Sequence, residues 1–270
     1  MSEATNKETV GEYEAFKLNK NAEYDKATLS VVVLGASGDL AKKKTYPALY
    51  DLFSHGYLPS TCVNIIGYAR SESTDDAFRQ KIRAFLPAGD DDMVDRFLSL
   101  CCYFQGQYGS TESFATLNTF LLEKEAVACS SNGVNRLFYF AIPPNVFIPS
   151  ARAIDAAARS QHGWNRIVVE KPFGHDLESA LQMSSELTSL WEEDDIYRID
   201  HYLGKEIVQN LIVFRFGNMF LEPLMNNRYV KSVKITFKEN FGTQGRGGYF
   251  DNYGIIRDIM QVHFICMCDV

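Results

Sequence analysis

This sequence predicts an α/β fold: a doubly wound parallel sheet, followed by the start of an α+β domain with an antiparallel sheet. Three observations predict it. A β-branched apolar run, Leu29–Leu34, passes directly into the glycine turn Gly35–Ala41 and then into a helical pattern. A second apolar run, Val63–Tyr68, follows about 30 residues later, the length of one βαβ unit. Two more runs, Arg136–Ile142 and Ile167–Glu170, end at proline-bearing edges, where open parallel sheets bind their ligands.

The 270 residues suffice for one large domain or two smaller ones. A net charge of −7 argues against general affinity for nucleic acid or an anionic membrane, so any phosphate site must be a local cationic pocket. No apolar run approaches the roughly 20 residues of a membrane span. The acidic start (Glu3, Glu8, Glu12, Glu14) is unlike a secretory signal. Cys62, Cys101, Cys102, Cys129, Cys266 and Cys268 have neither zinc-ligand nor redox spacing; they read as reduced thiols of a cytoplasmic protein, with no metal site.

Residues 1–28 lack hydrophobic periodicity and are expected to be a flexible tail. Leu29–Leu34 then suits a strand buried on both faces. In the turn that follows, Gly35 allows the tight bend and Gly38 lets backbone approach a pyrophosphate. Ala41 is small enough for close helix packing. The spacing is GxxGxxA, so a purely structural turn competes with dinucleotide binding, and the strand-before, helix-after context favours binding. At the end of the second strand, where a carboxylate would accept from ribose hydroxyls, the chain has Arg70 and Ser71. Arginine pairs with a 2′-phosphate, so NADP is favoured over NAD, against the alternative of a solvated loop cation.

From Thr74 to Val127 the pattern predicts covering helices, marked by Phe78, Ile82 and Phe85, then Met93, Phe97 and Leu100, then Phe114, Leu117 and Leu121. Strand Arg136–Ile142 leads to a helix over Val146–Arg159 and strand Ile167–Glu170. Lys171 follows at a carboxyl strand end, within reach of a nicotinamide and a substrate hydroxyl, with a cis bond to Pro172 possible. A solvent-facing lysine is the alternative. A polar helix spans Asp176–Trp191.

Arg198–Glu206 gathers Asp200, His201, Tyr202, Lys205 and Glu206 around Gly204. If a helix starts there and runs through Val208, Leu211 and Val213, its N–H groups and the cations form an anion site, most commonly for phosphate. Asp200 is left as an acceptor that could hold a histidine in its working tautomer. A charged loop feeding an amphipathic helix would carry the same residues. Val230–Phe237 alternates, predicting an antiparallel strand and a domain boundary near Asp200. Glu239, the loop Gly242–Asp251 and a helix over Ile255–His263 follow. Asp258 and His263 are five positions apart, so an α-helix would not stack them on one face, though both could edge one pocket.

Five motifs in order, GASGDLAKKK (35–44), GYARS (67–71), EKPFG (170–174), RIDHYLGKE (198–206) and GTQGRGGYFD with GIIRD (242–258), resemble the glucose-6-phosphate dehydrogenase family. The resemblance spans Leu29 to His263. It implies a Rossmann-like NADP domain at 29–199 and the beginning of a substrate domain at 200–270. It implies oxidation of glucose 6-phosphate at C1 to the lactone with formation of NADPH, the first step of the oxidative pentose phosphate pathway, in the cytoplasm. By the same resemblance His263 is the general base and Asp200 orients it. His201, Tyr202 and Lys205 bind the phosphate, and Lys171, Glu239 and Asp258 the sugar hydroxyls. Gly35, Ala36, Ser37, Gly38, Asp39, Leu40, Ala41 and Lys42, with Arg70 and Lys171, form the NADP site.

The chain departs from the family pattern at Val262, where asparagine is usual, at Met225 (tryptophan), Gln244 (glutamate) and Phe147 (tyrosine). It reads Phe264–Val270 and stops where the family continues into a long second half that carries the subunit interface. The expectation is a truncated chain, with an inactive NADP-binding fragment as the alternative to an active dehydrogenase. Another Rossmann sugar oxidoreductase is a third reading, disfavoured by the anion site at His201–Lys205.

Overall fold

The computed structural model describes residues 27–58, 62–128, 133–174, 176–221, 223–236, 238, 242, 243, 245 and 247–264. Of the expected flexible tail at 1–28, residues 1–26 lie outside this set, and Thr28 is corrected: it is buried and begins the first strand. Six strands form one parallel sheet: β1 (Thr28–Leu34), β2 (Val63–Ala69), β3 (Cys101–Gln105), β4 (Val134–Phe140), β5 (Asn165–Glu170) and β6 (Ile196–Ile199). Their spatial order is β3-β2-β1-β4-β5-β6. The chain therefore winds outward from β1 in one direction, then returns to β4 and winds in the other. That reversal is what two βαβ halves with right-handed crossovers produce.

Every strand position from Val31 to Leu34 is at most 1% exposed, so the β-branched run is covered on both faces. One face packs on α1 (Tyr46–Ser54), α2 (Asp75–Arg83) and α3 (Asp91–Ser99), through Leu49, Phe53, Phe78, Ile82 and Phe97. The other packs on α4 (Thr111–Ala128), α5 (Phe147–Ala157) and α6 (Leu177–Thr188), through Phe114, Leu121, Ile154 and Leu187. The helices start where side chains can take an orphan N–H. Thr74 accepts from Ala77 and Asp90 from Met93, and Asp176 forms a reciprocal capping box with Ser179. Phe147 is buried against Phe140, within the core.

A buried ion pair ties α4 to the sheet. The Arg136 guanidinium donates to both carboxylate oxygens of Glu125 at 2.9 and 2.7 Å, to Asn118 at 2.6 Å and to the Ala158 carbonyl at 2.9 Å. Ser30 donates to the same carboxylate at 2.9 Å. Both tryptophans lie toward the opposite end of the sheet from the glycine turn. Trp164 immediately precedes β5, under the Arg166 guanidinium at 4.4 Å. Trp191 follows α6, buried beneath Arg159 at 3.9 Å, and its indole donates to the Ala151 carbonyl.

Two expectations are corrected. The helical stretch from Thr74 to Val127 contains β3, a five-residue strand paired with β2. The alternating segment Val230–Thr236 forms no ladder among the described residues, and Val233 is 77% exposed. Alternation sets the face of a strand but supplies no neighbour for its backbone groups. Helix α7 (Glu206–Phe216) carries exposed Ile207, Val213, Phe214 and Phe216. The last helical stretch runs as α8 (Gly247–Ile255), kinked at Gly254, and then as a π-helix over Ile256–Phe264. No helix of the described residues is long and apolar enough to cross a membrane.

Candidate active site

The sheet reverses direction between β1 and β4, and the crevice outside their carboxyl ends is where such sheets bind ligands. The glycine turn fills that position. Gly35 has φ +84°, and a Cβ there would stand 2.0 Å from the Ala141 carbonyl oxygen, so only glycine fits. The Gly35 and Ala36 amides donate to the Tyr68 carbonyl at 2.9 and 3.2 Å, and the Gly38 amide to Gly35 at 2.8 Å. Ala41 is fully buried, which permits the close helix approach that the sequence called for. A π-helical turn, Ala41–Thr45, leads into α1. Asp39 pairs with Lys42 at 3.2 Å and Lys43 at 3.0 Å, and the Lys43 ammonium, then Lys42, holds its carboxyl below the usual range.

Beside the turn, a narrow cleft is lined by Ala36, Ser37, Lys42, Ser71, Ser73 and Lys81. Arg70 immediately follows β2 and turns its guanidinium over the Tyr108 ring, 5.4 Å from the centroid, while Ser71 lies 3.3 Å from the Tyr103 hydroxyl. Lys81 and Ser73 went unnoticed in the sequence. Lys81 stands on α2, and it forms no ion pair among the described residues. Only the packing of α2 beside the turn reveals it.

The other half of the site stands at the ends of β5 and β6. Lys171 follows β5 through a cis bond to Pro172. Its ammonium donates to the Asp258 carbonyl at 3.3 Å, lies 3.7 Å from the Asp258 carboxylate, and sits 5.6 Å from the Tyr202 ring centroid. Asp200 immediately follows β6 and accepts from the Tyr202 amide at 3.0 Å, closing the turn that presents His201 to Lys205. Tyr202 is buried, and the Lys205 ammonium stands 3.6 Å over its ring. Lys205 is also the residue before α7, so the expected helix start lies where the cations gather. Desolvation lowers the His201 pKa below its ordinary value. Lys171, Lys205 and Lys44 add to that, and Asp200 opposes it. Lys44, on the π-helical turn, is thus near enough for His201 to feel its charge, which the sequence did not reveal.

Asp258 is 8% exposed and lies on the π-helix Ile256–Phe264. Its backbone bonds run from i to i+5, so the stretch that the sequence reads as an α-helix is wound more widely. The His263 side chain and Glu239 lie outside the described residues. The structure therefore brings together Lys171, Asp200, His201, Tyr202, Lys205 and Asp258. Sequence reasoning also passed over Glu170 and Tyr139. Burial raises the Glu170 pKa, against a hydrogen bond donated by the Tyr139 hydroxyl and the attraction of Lys171. The arrangement offers clustered cations, buried acceptors and backbone amides at one edge, which suits a phosphorylated polyol beside a dinucleotide.

Comparison with known proteins agrees with this geometry. The family model "Glucose-6-phosphate dehydrogenase, NAD binding domain" matches residues 32–210, and "Glucose-6-phosphate dehydrogenase, C-terminal domain" matches 212–269. Glucose-6-phosphate 1-dehydrogenase 5, cytoplasmic, of Arabidopsis thaliana is 49% identical over 261 residues, covering 93% of this chain and 51% of its own. The chloroplastic enzyme of Nicotiana tabacum is 50% identical over 246 residues, 89% of this chain and 41% of its own. A solved structure of glucose-6-phosphate dehydrogenase in complex with its substrate superposes with TM-score 0.83 at 45% identity, covering 90% of this chain and 51% of its own. The enzyme from Mycobacterium avium gives 0.72 at 34% identity, covering 88% and 50%. The chain spans about half the length of these relatives.

Proposed function

The chain belongs to the glucose-6-phosphate dehydrogenase family, and from that premise we propose that it oxidises glucose 6-phosphate at C1 to the lactone, with NADP as hydride acceptor. The observation that carries this reading is the meeting of Lys171, His201 and Lys205 around the Tyr202 ring at the carboxyl edge of the sheet. Three basic side chains from two separate segments suit the capture of an anionic substrate next to a dinucleotide.

In this proposal Lys205 and His201 hold the phosphate, with Tyr202 as the platform under the Lys205 ammonium. Lys171 and Asp258, already in contact with each other, take the sugar hydroxyls, a role Glu239 shares by the family resemblance. His263 removes the C1 hydroxyl proton, because neutral imidazole has a suitable proton affinity, and Asp200 stabilises the imidazolium that forms.

The glycine turn at the switch point fits a dinucleotide, as the matched NAD binding domain implies. Gly35, Ala36, Ser37, Gly38, Asp39, Leu40, Ala41 and Lys42 form its cradle. The cleft from Ser37 to Lys81, with Arg70 nearby, supports NADP over NAD, since ammonium and hydroxyl groups suit a 2′-phosphate and no carboxylate lines the cleft. Relatives named as cytoplasmic isoforms support a cytoplasmic location.

Purified protein given glucose 6-phosphate and NADP should form NADPH, and the His263→Asn variant should not. Equal oxidation of free glucose would overturn the assignment of His201 and Lys205, and NADPH formation by His263→Asn at the parent rate would overturn that of the base.

A further inference from the structure

The carboxyl edge holds a buried acid that the proposed reaction does not use. Glu170 is the last residue of β5, the strand that delivers Lys171, and it is 8% exposed. A carboxylate in such a place is costly unless it is hydrogen-bonded. Its partner is the hydroxyl of Tyr139, on the neighbouring strand β4. The Tyr139–Glu170 bond thus joins β4 to the end of β5, one residue before Lys171. The Glu170 carboxylate is also felt electrostatically by Lys171, which it attracts, and by Asp200, which it repels.

We propose that the Tyr139–Glu170 pair is a positioning device for Lys171, fastening the end of β5 to β4 and setting a negative charge beside the Lys171 ammonium. The inference rests on the reading of this edge as a sugar-phosphate site. The Tyr139 bond fixes the peptide from which Lys171 departs. The charge offsets part of the positive field of Lys44, Lys171, His201 and Lys205, so that the site grips its ligand through aimed contacts rather than through bulk attraction for anions. Neither residue touches the reacting atoms in this scheme; both act through Lys171.

The two roles separate in experiment. In Glu170→Gln the amide oxygen still accepts from Tyr139, but the charge is gone. Inorganic phosphate should then bind about threefold tighter, because less negative potential opposes it. In Tyr139→Phe the fastening is lost, and titration at a pH well above the raised range of the Glu170 carboxyl keeps the charge in place. Phosphate affinity should hold, while glucose 6-phosphate affinity and kcat/KM fall about tenfold through misaimed Lys171. Calorimetry of the full chain with inorganic phosphate and with glucose 6-phosphate reads these changes, with a thermal melt of each variant to establish folding. General damage would weaken both ligands together, and that result, or unchanged phosphate affinity in folded Glu170→Gln, overturns the inference. Unchanged glucose 6-phosphate affinity in Tyr139→Phe overturns it as well. A parent chain that binds no phosphate overturns the site reading and this inference with it.

Discussion

The Lys171 ammonium lies 3.7 Å from the Asp258 carboxylate and donates to the Asp258 carbonyl at 3.3 Å, across 87 residues of sequence. Both side chains are largely buried, at 14% and 9% exposure, so each satisfies a charge that would otherwise be expensive. The contact joins the end of the parallel sheet to the helix that carries position 263. Replacing Lys171 by methionine should lower kcat/KM for glucose 6-phosphate about a hundredfold, as loss of a placed donor does. It should also cost about 2 kcal/mol in a urea melt, since the buried Asp258 loses its contact with the Lys171 ammonium. A full-rate Lys171→Met enzyme would contradict the placement.

The buried Arg136–Glu125 pair gives a test of the scaffold alone. Arg136→Met strands a carboxylate that is 3% exposed, and should destabilise the chain by about 3–5 kcal/mol. Changing both residues to methionine should recover most of that loss, because two apolar side chains then replace two charges. Denaturant melts of the single and double variants check it.

His201 supplies a pH signature. Its folded-state pKa lies below the ordinary value of 6.5, mainly through desolvation and then the neighbouring lysines. The unfolded chain therefore takes up this proton first as pH falls. The stability that the neutral ring contributes is complete above about pH 6.5 and is lost toward the lower folded value. Anion binding runs the other way, because protonation adds charge to the phosphate cradle. Affinity for glucose 6-sulfate, whose own charge is constant, should rise as pH drops below about 6.5, and His201→Gln should flatten the curve. Calorimetry across that range measures it.

Cofactor choice gives a fourth test. Arg70→Ala and Lys81→Ala should each weaken NADP about tenfold and leave NAD nearly unchanged, since only NADP carries the 2′-phosphate. Equilibrium dialysis with both dinucleotides decides it, and equal losses for the two would place these cations elsewhere.

Much of the fold could be read in advance because local pattern and tertiary role coincide in it. Leu29–Leu34, Val63–Tyr68 and Ile167–Glu170 are continuous apolar runs, and only a strand covered on both faces uses such a run. Asp176, at the head of its helix, marks its boundary by chemistry alone. Cys101–Gln105 failed that test: five residues with two thiols and a terminal glutamine carry no period, and pairing with β2 decides their state. The alternating Val230–Phe237 erred the other way, since its pattern is sound but no neighbour is described for it. In the site, Lys171 and His201–Lys205 were legible because glycine and proline punctuate them. Lys44, Lys81 and Tyr139 were not, since each owes its place to the packing of one element against another.

The two tryptophans, each under an arginine and both remote from the glycine turn, have a practical corollary for spectroscopy. Their emission should follow the docking of α5 and α6 and ignore ligands at the crevice. Intrinsic fluorescence is thus a clean gauge of unfolding in this chain, and titrations of nucleotide or sugar need a different optical handle.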